Sequence, residues 1–315
     1  MTNYMLGVDI GTTSTKAVLF TEKGEVIQVE NHGYPLYTPD MSTAEQDPKE
    51  IYDAVLRAIT HITKRHSDKK PSFISFSSAM HSVIAMDDND QPLTPCITWA
   101  DNRSEAWAHK IKDELNGHEV YKRTGTPIHP MSPLTKIAWI VHDRPEIAVN
   151  VKKYIGIKEF IFKKFFDQYV VDHSIASCMG MMNLENLDWD EEALHIAGVT
   201  RDQLSELVPT TQIFRNCNPD IAKQMGIDPQ TPFVIGASDG VLSNLGVNAI
   251  GKGEIAVTIG TSGAIRTIIN KPQTDDKGRI FCYALTEKHW VIGGPVNNGG
   301  IVLRWIRDEF ASSEI

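Results

Sequence analysis

Apolar residues in the first 30 positions come in short runs separated by turn-forming residues. The runs Leu6–Ile10, Lys16–Phe20 and Val26–Val29 are separated by Gly11–Ser14 and Glu22–Glu25. Short apolar runs bounded by glycine, hydroxyl and charged residues are typical of strands joined by tight turns. The pattern therefore predicts three consecutive strands that form a meander at the start of the chain.

A helix is predicted directly after this meander. Asp47 is a favourable N-cap residue, and Pro48 suits the first helical position. The apolar residues that follow recur at helical spacing and predict one buried face: Ile51, Val55, Ile59 and Ile62. The apolar runs Phe73–Phe76 and Val83–Met86 then predict two buried strands.

The middle and the end of the chain differ in pattern. Positions from Ser104 to about Arg215 carry mostly helical spacing, with Ile155–Phe166 as one candidate helix. A short strand, Phe233–Ile235, then leads through small residues into a helix that ends near Leu245. A second strand-rich block follows and closes with a helix: Glu254–Ile259, Ala264–Ile269, Ile280–Leu285, Trp290–Ile292 and Gly300–Phe310.

The start of the second block resembles the start of the chain. Residues 8–13 read Val-Asp-Ile-Gly-Thr-Thr, and residues 257–262 read Val-Thr-Ile-Gly-Thr-Ser. Each sequence spans a predicted strand and the turn after it, so a duplicated domain start is favoured over chance similarity of two hairpins. We therefore expect two domains, residues 1–245 and residues 246–315.

Composition narrows the class of protein. The 315 residues carry a net charge of −9, so long-range attraction to nucleic acid or to an anionic membrane is not expected. The four cysteines are widely separated and form no CxxC pair, which predicts reduced thiols, a cytoplasmic location and no zinc site. The eleven histidines show no metal-ligand spacing in the sequence either. The sequence leaves the oligomeric state open, a homodimer included.

The repeated turn has the chemistry of an anion site. Glycine permits a tight turn whose backbone N–H groups converge, and hydroxyl side chains add further donors. Two such hairpins that face each other could hold one polyphosphate from both sides. The predicted phosphate-binding residues are Gly11, Thr12, Thr13, Ser14 and Lys16 in the first copy, with Gly260, Thr261 and Ser262 in the second.

Two carboxylates stand at the ends of apolar strands. Asp9 precedes the first turn, where an acidic side chain is costly unless it is paired or binds a metal, and Mg²⁺ fits such a position beside phosphates. Asp239 follows a buried strand among small residues, so it could accept the proton of an attacking hydroxyl. Turn capping by Asp9 and helix N-capping by Asp239 remain the alternatives.

Several segments, in chain order, resemble the FGGY family of carbohydrate kinases. They are the two Gly-Thr turns, Glu45–Pro48, the motif Trp99-x-Asp101-x-Arg103, and Gly236–Gly240. Residues 131–140 also resemble the N-terminal signature of that family, although His142-Asp143 departs from its usual ending.

This resemblance implies an α/β protein with the actin-like ATPase (ribonuclease H-like) fold, in which two domains flank a cleft. Family members extend past residue 315, so the second domain is expected to be incomplete here. The resemblance also implies transfer of the ATP γ-phosphate to a sugar or polyol hydroxyl, with Asp239 as the base and with Asp9 and Asp239 near Mg²⁺. Gly300 and Arg304 fall where the family contacts the nucleotide.

The family also indicates where the sugar binds. The residues implied are Met80, His81, Asp101, Arg103, Asp239 and Gly240. Arg103 could bind a substrate carboxylate in a bidentate manner, or could form an ion pair with Asp101 or Glu105. His81 could read a hydroxyl, or could be a core histidine with its hydrogen bonds satisfied.

Residues 98–104 and 125–133 most resemble the gluconate-phosphorylating members of the family. The expected reaction is therefore conversion of D-gluconate to 6-phosphogluconate. Phosphorylation of xylulose or of another pentose or polyol is the alternative, and a non-kinase actin-like ATPase is the alternative from another class.

Overall fold

The computed structural model describes residues 4–251, 253–259, 263–296 and 298–310. Its first part contains the predicted meander, the predicted helix and the two predicted strands. The elements are β1 (Tyr4–Ile10), β2 (Ser14–Phe20), β3 (Val26–Gly33), β4 (Glu45–Gln46), α1 (Pro48–Arg65), β5 (Pro71–Ser78), β6 (Ile84–Met86) and β7 (Cys96–Ile97). Asp47 caps α1 as predicted, because its Oδ1 accepts a hydrogen bond from the Lys49 N–H at 2.7 Å.

The middle of the chain is less uniformly helical than its pattern predicts. Short strands interrupt the helices, and Ile155 belongs to a strand rather than to the predicted helix. The elements are α2 (Glu105–Glu114), α3 (Gly117–Thr124), α4 (Pro133–Asp143), α5 (Pro145–Ala148), β8 (Lys153–Ile155), α6 (Ile157–Phe166), β9 (Val170–Asp172), α7 (His173–Ser177), β10 (Met182–Asn183), β11 (Asp188–Trp189), α8 (Glu191–Ala197), β12 (Glu206–Val208), β13 (Ile213–Phe214) and α9 (Pro219–Met225).

The last part follows the predicted order. The elements are β14 (Phe233–Ser238), α10 (Asp239–Gly246), β15 (Ala256–Ile259), β16 (Gly263–Ile269), β17 (Phe281–Thr286), β18 (His289–Val296) and α11 (Gly300–Phe310). Strand β14 runs three residues beyond its prediction. Trp305 and Ile306 of α11 are exposed in the described part of the chain.

The larger sheet has the strand order β13-β14-β5-β1-β2-β3. Strand β1 pairs antiparallel with β2 and parallel with β5, and β5 pairs parallel with β14. A three-stranded meander extended by parallel strands beyond its first strand is the ribonuclease H-like arrangement. The prediction of an actin-like α/β fold is therefore confirmed.

A second sheet has the order β15-β16-β18-β17. Its hairpin β15–β16 is antiparallel like the hairpin β1–β2, but its register differs by one residue, since Ile259 pairs with Gly263 whereas Ile10 pairs with Thr15. In the aligned sequences, Thr258 stands at the position of Asp9.

A core of aromatic and aliphatic side chains fixes the larger sheet against its helices. The Phe76 ring on β5 stacks on Phe233 of β14 at 5.9 Å between centroids, and Phe162 of α6 meets Phe76 edge-on at 5.4 Å. Tyr52 and Phe165 join α1 to α6. These contacts hold the strands that end at the predicted site. Among the described residues, no helix is long and apolar enough to cross a membrane.

Candidate active site

The two predicted carboxylates lie at the same edge of the larger sheet. Asp9 pairs with Ser77 of β5, and Ser77 also pairs with Ala237 of β14, two residues before Asp239. Strand β5 thus separates them, which puts their backbones roughly 10 Å apart. The carboxyl ends of parallel strands meet at one edge, and this edge is where ligands bind in open α/β sheets.

A β-bulge changes the direction of β14 just before Asp239. The β14–β5 register shifts between Val234 and Ala237, and Gly236 has a φ of 69° in this interval. A Cβ at Gly236 would collide with the carbonyl oxygen of Phe76, so only glycine fits here. The prediction of small residues before Asp239 thus has a steric basis.

A buried lysine stabilises this bulge. The Lys158 Nζ donates to the carbonyl oxygens of Ile235 at 3.3 Å and Ala237 at 3.2 Å, on either side of the bulge. The same nitrogen lies 2.5 Å from the Asp172 Oδ2 in a buried ion pair. Lys158 was not predicted as part of the site, because its sequence context is that of an ordinary amphipathic helix.

Asp239 begins α10 but does not cap it. Ser238 occupies the N-cap position, and the Asp239 Oδ1 accepts a hydrogen bond from the next backbone N–H, that of Gly240, at 2.6 Å. The carboxylate is open to solvent, yet the surrounding protein desolvates it enough to raise its pKa to about 6, and the negative charge of Asp9 contributes. The arrangement suits a carboxylate that takes up a proton near neutral pH.

Arg266 brings a positive charge to this carboxylate from the second sheet. Its charge lowers the Asp239 pKa, against the larger effect of desolvation by the surrounding protein. Its Nη1 donates to the Thr258 Oγ1 at 3.2 Å, whereas its buried Nε has no partner among the described residues. A Cβ on Gly240 would lie 3.6 Å from this Nε and would collide with the Met80 side chain. Sequence reasoning missed Arg266, because nothing local distinguishes it within an alternating strand.

The first Gly-Thr turn keeps its carbonyl oxygens occupied. The Gly11 oxygen accepts from the Tyr34 hydroxyl at 2.5 Å, the Thr12 oxygen from Gln46 Nε2 at 2.7 Å, and the Thr13 oxygen from the Tyr34 N–H at 3.2 Å. Among the described residues, no protein acceptor takes the N–H groups of Thr12 and Thr13. The Gly11 N–H donates to the Ser14 carbonyl oxygen at 3.0 Å, which leaves the Thr12 and Thr13 N–H groups as the donors that an anion cradle could use. Ser14 and the exposed Lys16 begin β2 beside the turn.

Asp9 fits a cation site better than a turn cap. Its Oδ1 is buried without a hydrogen-bond partner among the described residues, and no hydrogen bond joins its side chain to the turn there. A buried carboxylate oxygen without a partner is costly, and a hard cation would satisfy it. The donor set therefore fits Mg²⁺ beside a phosphate.

The other residues predicted to contact the nucleotide lie in or near segments outside the described residues. Gly260, Thr261 and Ser262 lie outside the described residues. Gly300 begins α11, and Arg304 lies within this helix.

The segment predicted to bind sugar forms a hydrogen-bond network that reaches the predicted phosphate turn. The Arg103 Nε donates to both oxygens of Asp101, at 3.1 and 3.0 Å, and its Nη2 pairs with Glu45. The Asp101 Oδ2 also accepts from the Ala44 N–H at 2.9 Å. The Trp99 indole N–H donates to the Thr12 Oγ1 at 3.0 Å. Arg103 is thus paired with Asp101 and Glu45, and Asp101 is buried rather than open to a substrate.

His81 lies buried behind Met80 with a defined tautomer. Its Nδ1 is 2.8 Å from the Cys178 carbonyl oxygen. Because a carbonyl oxygen can only accept, Nδ1 carries the hydrogen and Nε2 keeps its lone pair. Burial, followed by the charge of Lys136, lowers the His81 pKa to about 3, so the ring is neutral at physiological pH. His81 also adopts a φ of 69°, an unusual conformation for a residue with a side chain.

Lys136 lies fully buried near this network. Its Nζ donates to the carbonyl oxygens of Pro130, at 3.0 Å, and Met131. Burial lowers its pKa to about 7. Lys136, which lies in the family-signature segment 131–140, therefore also fixes the loop before α4.

Comparison with known proteins agrees with this geometry. Residues 4–246 match the sequence model of the FGGY family of carbohydrate kinases, N-terminal domain. The chain is 79% identical over 315 residues to a gluconokinase of Bacillus subtilis (strain 168) and spans 61% of the length of that protein. The chain thus covers about three fifths of this curated relative.

Two solved structures have the same fold. A gluconate kinase from Lactobacillus acidophilus matches with a TM-score of 0.97 and 40% identity, over 100% of this chain and 64% of the other. A ligand-bound xylulose kinase from Lactobacillus acidophilus matches with a TM-score of 0.95 and 40% identity, over 98% of this chain and 62% of the other.

Proposed function

Because the chain belongs to the FGGY family of carbohydrate kinases, we propose that its protein phosphorylates D-gluconate with ATP to give 6-phosphogluconate. The observation that carries the proposal is the 79% identity to a gluconokinase along the whole chain. A cytoplasmic location suits a substrate such as ATP and the four cysteines, each of which is a free thiol.

Asp239 is the proposed base. In the reaction, the attacking hydroxyl oxygen of the sugar forms a bond to the γ-phosphorus as the bond from this phosphorus to ADP breaks. The hydroxyl proton passes to the Asp239 carboxylate. The raised pKa of about 6 supports this role, since a base works best when its pKa lies near the operating pH.

The first turn and Asp9 are proposed to hold the transferring phosphate. The free N–H groups of Thr12 and Thr13, the Ser14 hydroxyl and the Lys16 ammonium supply donors around the turn Gly11–Ser14. Asp9 would hold Mg²⁺, with Asp239 nearby, and bound Mg²⁺ supplies positive charge that stabilises the phosphoryl oxygens. From the other side, Gly260, Thr261, Ser262, Gly300 and Arg304 are proposed to contact the nucleotide.

The sugar is proposed to bind at the face formed by Met80, Gly240 and Asp239, with Met80 packed against Gly240. The His81 Nε2 has a lone pair that could accept a hydrogen bond from a sugar hydroxyl. Arg103 would attract the gluconate carboxylate while it shares its guanidinium with Asp101 and Glu45. Asp101 then acts by holding Arg103 in place.

Xylulose is the second candidate substrate. A xylulose kinase structure matches this chain at the same 40% identity as a gluconate kinase structure, so the fold does not separate the two sugars.

The test is ADP release with MgATP by the full-length kinase, measured with gluconate, xylulose, ribulose, glycerol or no sugar. We expect gluconate to give the largest kcat/KM. Preferential use of xylulose would support the proposal of a sugar kinase but would overturn gluconate as its substrate. ATP hydrolysis that no sugar stimulates would favour an actin-like ATPase that is not a kinase.

A further inference from the structure

A cluster of metal-ligand side chains lies away from the candidate active site, between β3 and α1. Glu30 and His32 stand two positions apart on β3 and so share one face, and His61 comes from α1. One ligand atom from each of the three residues lies within 4.8 Å of the others. We propose that Glu30, His32 and His61 bind a divalent cation of the zinc class.

The spacing is close to that of a zinc site. The His61 Nδ1 lies 3.6 Å from the Glu30 Oε2. Two ligand atoms on a tetrahedral zinc ion, each about 2.1 Å from the metal, are separated by about 3.4 Å. The His32 and His61 rings meet edge-on with 4.9 Å between centroids. Since the His61 side chain is 53% exposed, it can rotate to close the remaining gap.

The donor atoms are available to a metal. The His32 Nε2 is buried and has no hydrogen-bond partner among the described residues. A buried imidazole nitrogen without a partner carries a desolvation cost that a bound cation would offset.

Neighbouring groups leave one oxygen of Glu30 for the cation. The Gln28 Nε2 donates to the Glu30 Oε1 at 2.6 Å, and the Arg65 Nη1 lies 4.0 Å from the same oxygen. The Glu30 Oε2 faces His61 instead. Groups that hold one carboxylate oxygen in this way orient the other toward a metal.

The ligand set selects the kind of cation. Two imidazoles and one carboxylate suit zinc and related transition metals, whereas Mg²⁺ prefers oxygen ligands. The positive charges of Arg57 and Arg65 repel a cation at this site. Binding therefore depends on coordinate bonds from the two imidazole nitrogens to the metal. Three protein ligands leave a fourth position for water.

A bound cation would join the edge strand of the larger sheet to α1. His32 pairs with Thr15 of β2, directly after the predicted phosphate turn. Cation binding is therefore expected to raise the unfolding temperature, because a ligand bound only by the folded state stabilises this state.

The experiment is calorimetric titration of zinc chloride into the untagged full-length protein after treatment with a chelator, with thermal unfolding recorded in parallel. We expect one zinc ion per chain and a higher unfolding temperature with zinc. His61→Gln and Glu30→Gln should each weaken binding about tenfold or more. His195→Gln replaces an exposed histidine on α8 and is the matched control, which should bind zinc as the wild type does.

His61 is exposed, so His61→Gln should unfold at the wild-type temperature without metal, and lost binding then reflects a lost ligand. Wild-type zinc affinity in His61→Gln would overturn the proposal, as would a wild type that gives neither heat nor a shift in unfolding temperature. Displacement of zinc by excess Mg²⁺ would overturn the assignment to the zinc class.

Discussion

Asp239 faces two opposing influences. Desolvation by the surrounding protein and the charge of Asp9 raise its pKa, while the positive charges of Arg266 and Lys158 lower it. The balance leaves a carboxylate that is ionised at pH 7 but still has appreciable basicity, whereas an ordinary exposed aspartate would be a weaker base.

Replacement of the Asp239 carboxylate should slow catalysis strongly while the protein still folds. Asp239→Asn in the full-length kinase is expected to lower kcat by about 10²–10⁴, because the amide cannot accept the hydroxyl proton. Nucleotide affinity, measured by titration, should change little. Asp88→Asn at an exposed turn is the control. Normal turnover by Asp239→Asn would remove this residue from the base role.

Arg103 supports a prediction about substrate choice. Arg103→Ala should raise KM for gluconate more than KM for xylulose, because only gluconate carries a carboxylate. Steady-state kinetics with both sugars is the measurement, and Arg201→Ala, which removes a surface arginine paired with Asp188 and Glu191, is the control. An equal rise for both sugars would indicate that Arg103 acts only by holding Asp101 and Glu45.

Asp9 and Asp239 could be predicted as site residues from the sequence, since each stands at the end of an apolar run that predicts a strand. Arg266 and Lys158 gave no such signal. Their importance comes from the partners that the fold brings to them, and these partners are distant in sequence.

Among the elements, β14 depends most on a single distant side chain. Its bulge leaves carbonyl oxygens that Lys158 satisfies, and Lys158 in turn neutralises the buried Asp172. The helix that carries Lys158 therefore stabilises the strand end that carries the proposed base.

Lys158→Ala is expected to lower the free energy of unfolding by about 3–5 kcal/mol, because it leaves a buried carboxylate without its partner. Denaturant titration measures this change. Lys49→Ala, which breaks an exposed ion pair with Asp53, should cost less than about 1 kcal/mol. A loss at Lys158 as small as that at Lys49 would contradict the role given to the buried pair.

Elements were predictable where their sequence signals are local. The Asp47-Pro48 cap marked the start of α1, and apolar runs marked β1, β5 and β14. The two- and three-residue strands between Ser104 and Arg215 were not predicted, because so few positions cannot show an alternating pattern. Tertiary pairing alone defines strands such as β9 and β12.

In the whole molecule, the repeated hairpin was the most informative sequence feature. The second sheet, like the first, begins with an antiparallel hairpin, although the register of β15–β16 differs by one residue from that of β1–β2. The division into two domains at residue 245 stays a prediction. The position of the Arg266 charge near Asp239 was not predictable, since it depends on how the second sheet lies against the first.

The molecule as a whole should show an acid limb in its activity. Since the Asp239 pKa is about 6, kcat/KM is expected to fall about tenfold per pH unit well below pH 6. A fall in kcat/KM that begins only near pH 4 would contradict the raised pKa.

The same pKa difference makes the stability of the fold depend on pH. The Asp239 carboxyl has a pKa near 3.8 in the unfolded chain and about 6 in the folded protein, so between about pH 4 and 6 the folded protein binds the proton that the unfolded chain has released. The contribution of this group to stability therefore declines as the pH rises from about 4 to 6, and it stays low above pH 6. Asp239→Asn should remove this decline.

Arg266 stands on β16, whereas Asp239 stands at the end of β14. Any hinge motion that separates the two sheets would withdraw a cation from the carboxylate and strengthen its hold on a proton. The same separation would expose the carboxylate to more water and so weaken the desolvation that raises its pKa. The second sheet therefore acts on the proposed base in two opposite senses, and the distance between the sheets sets how firmly Asp239 holds a proton.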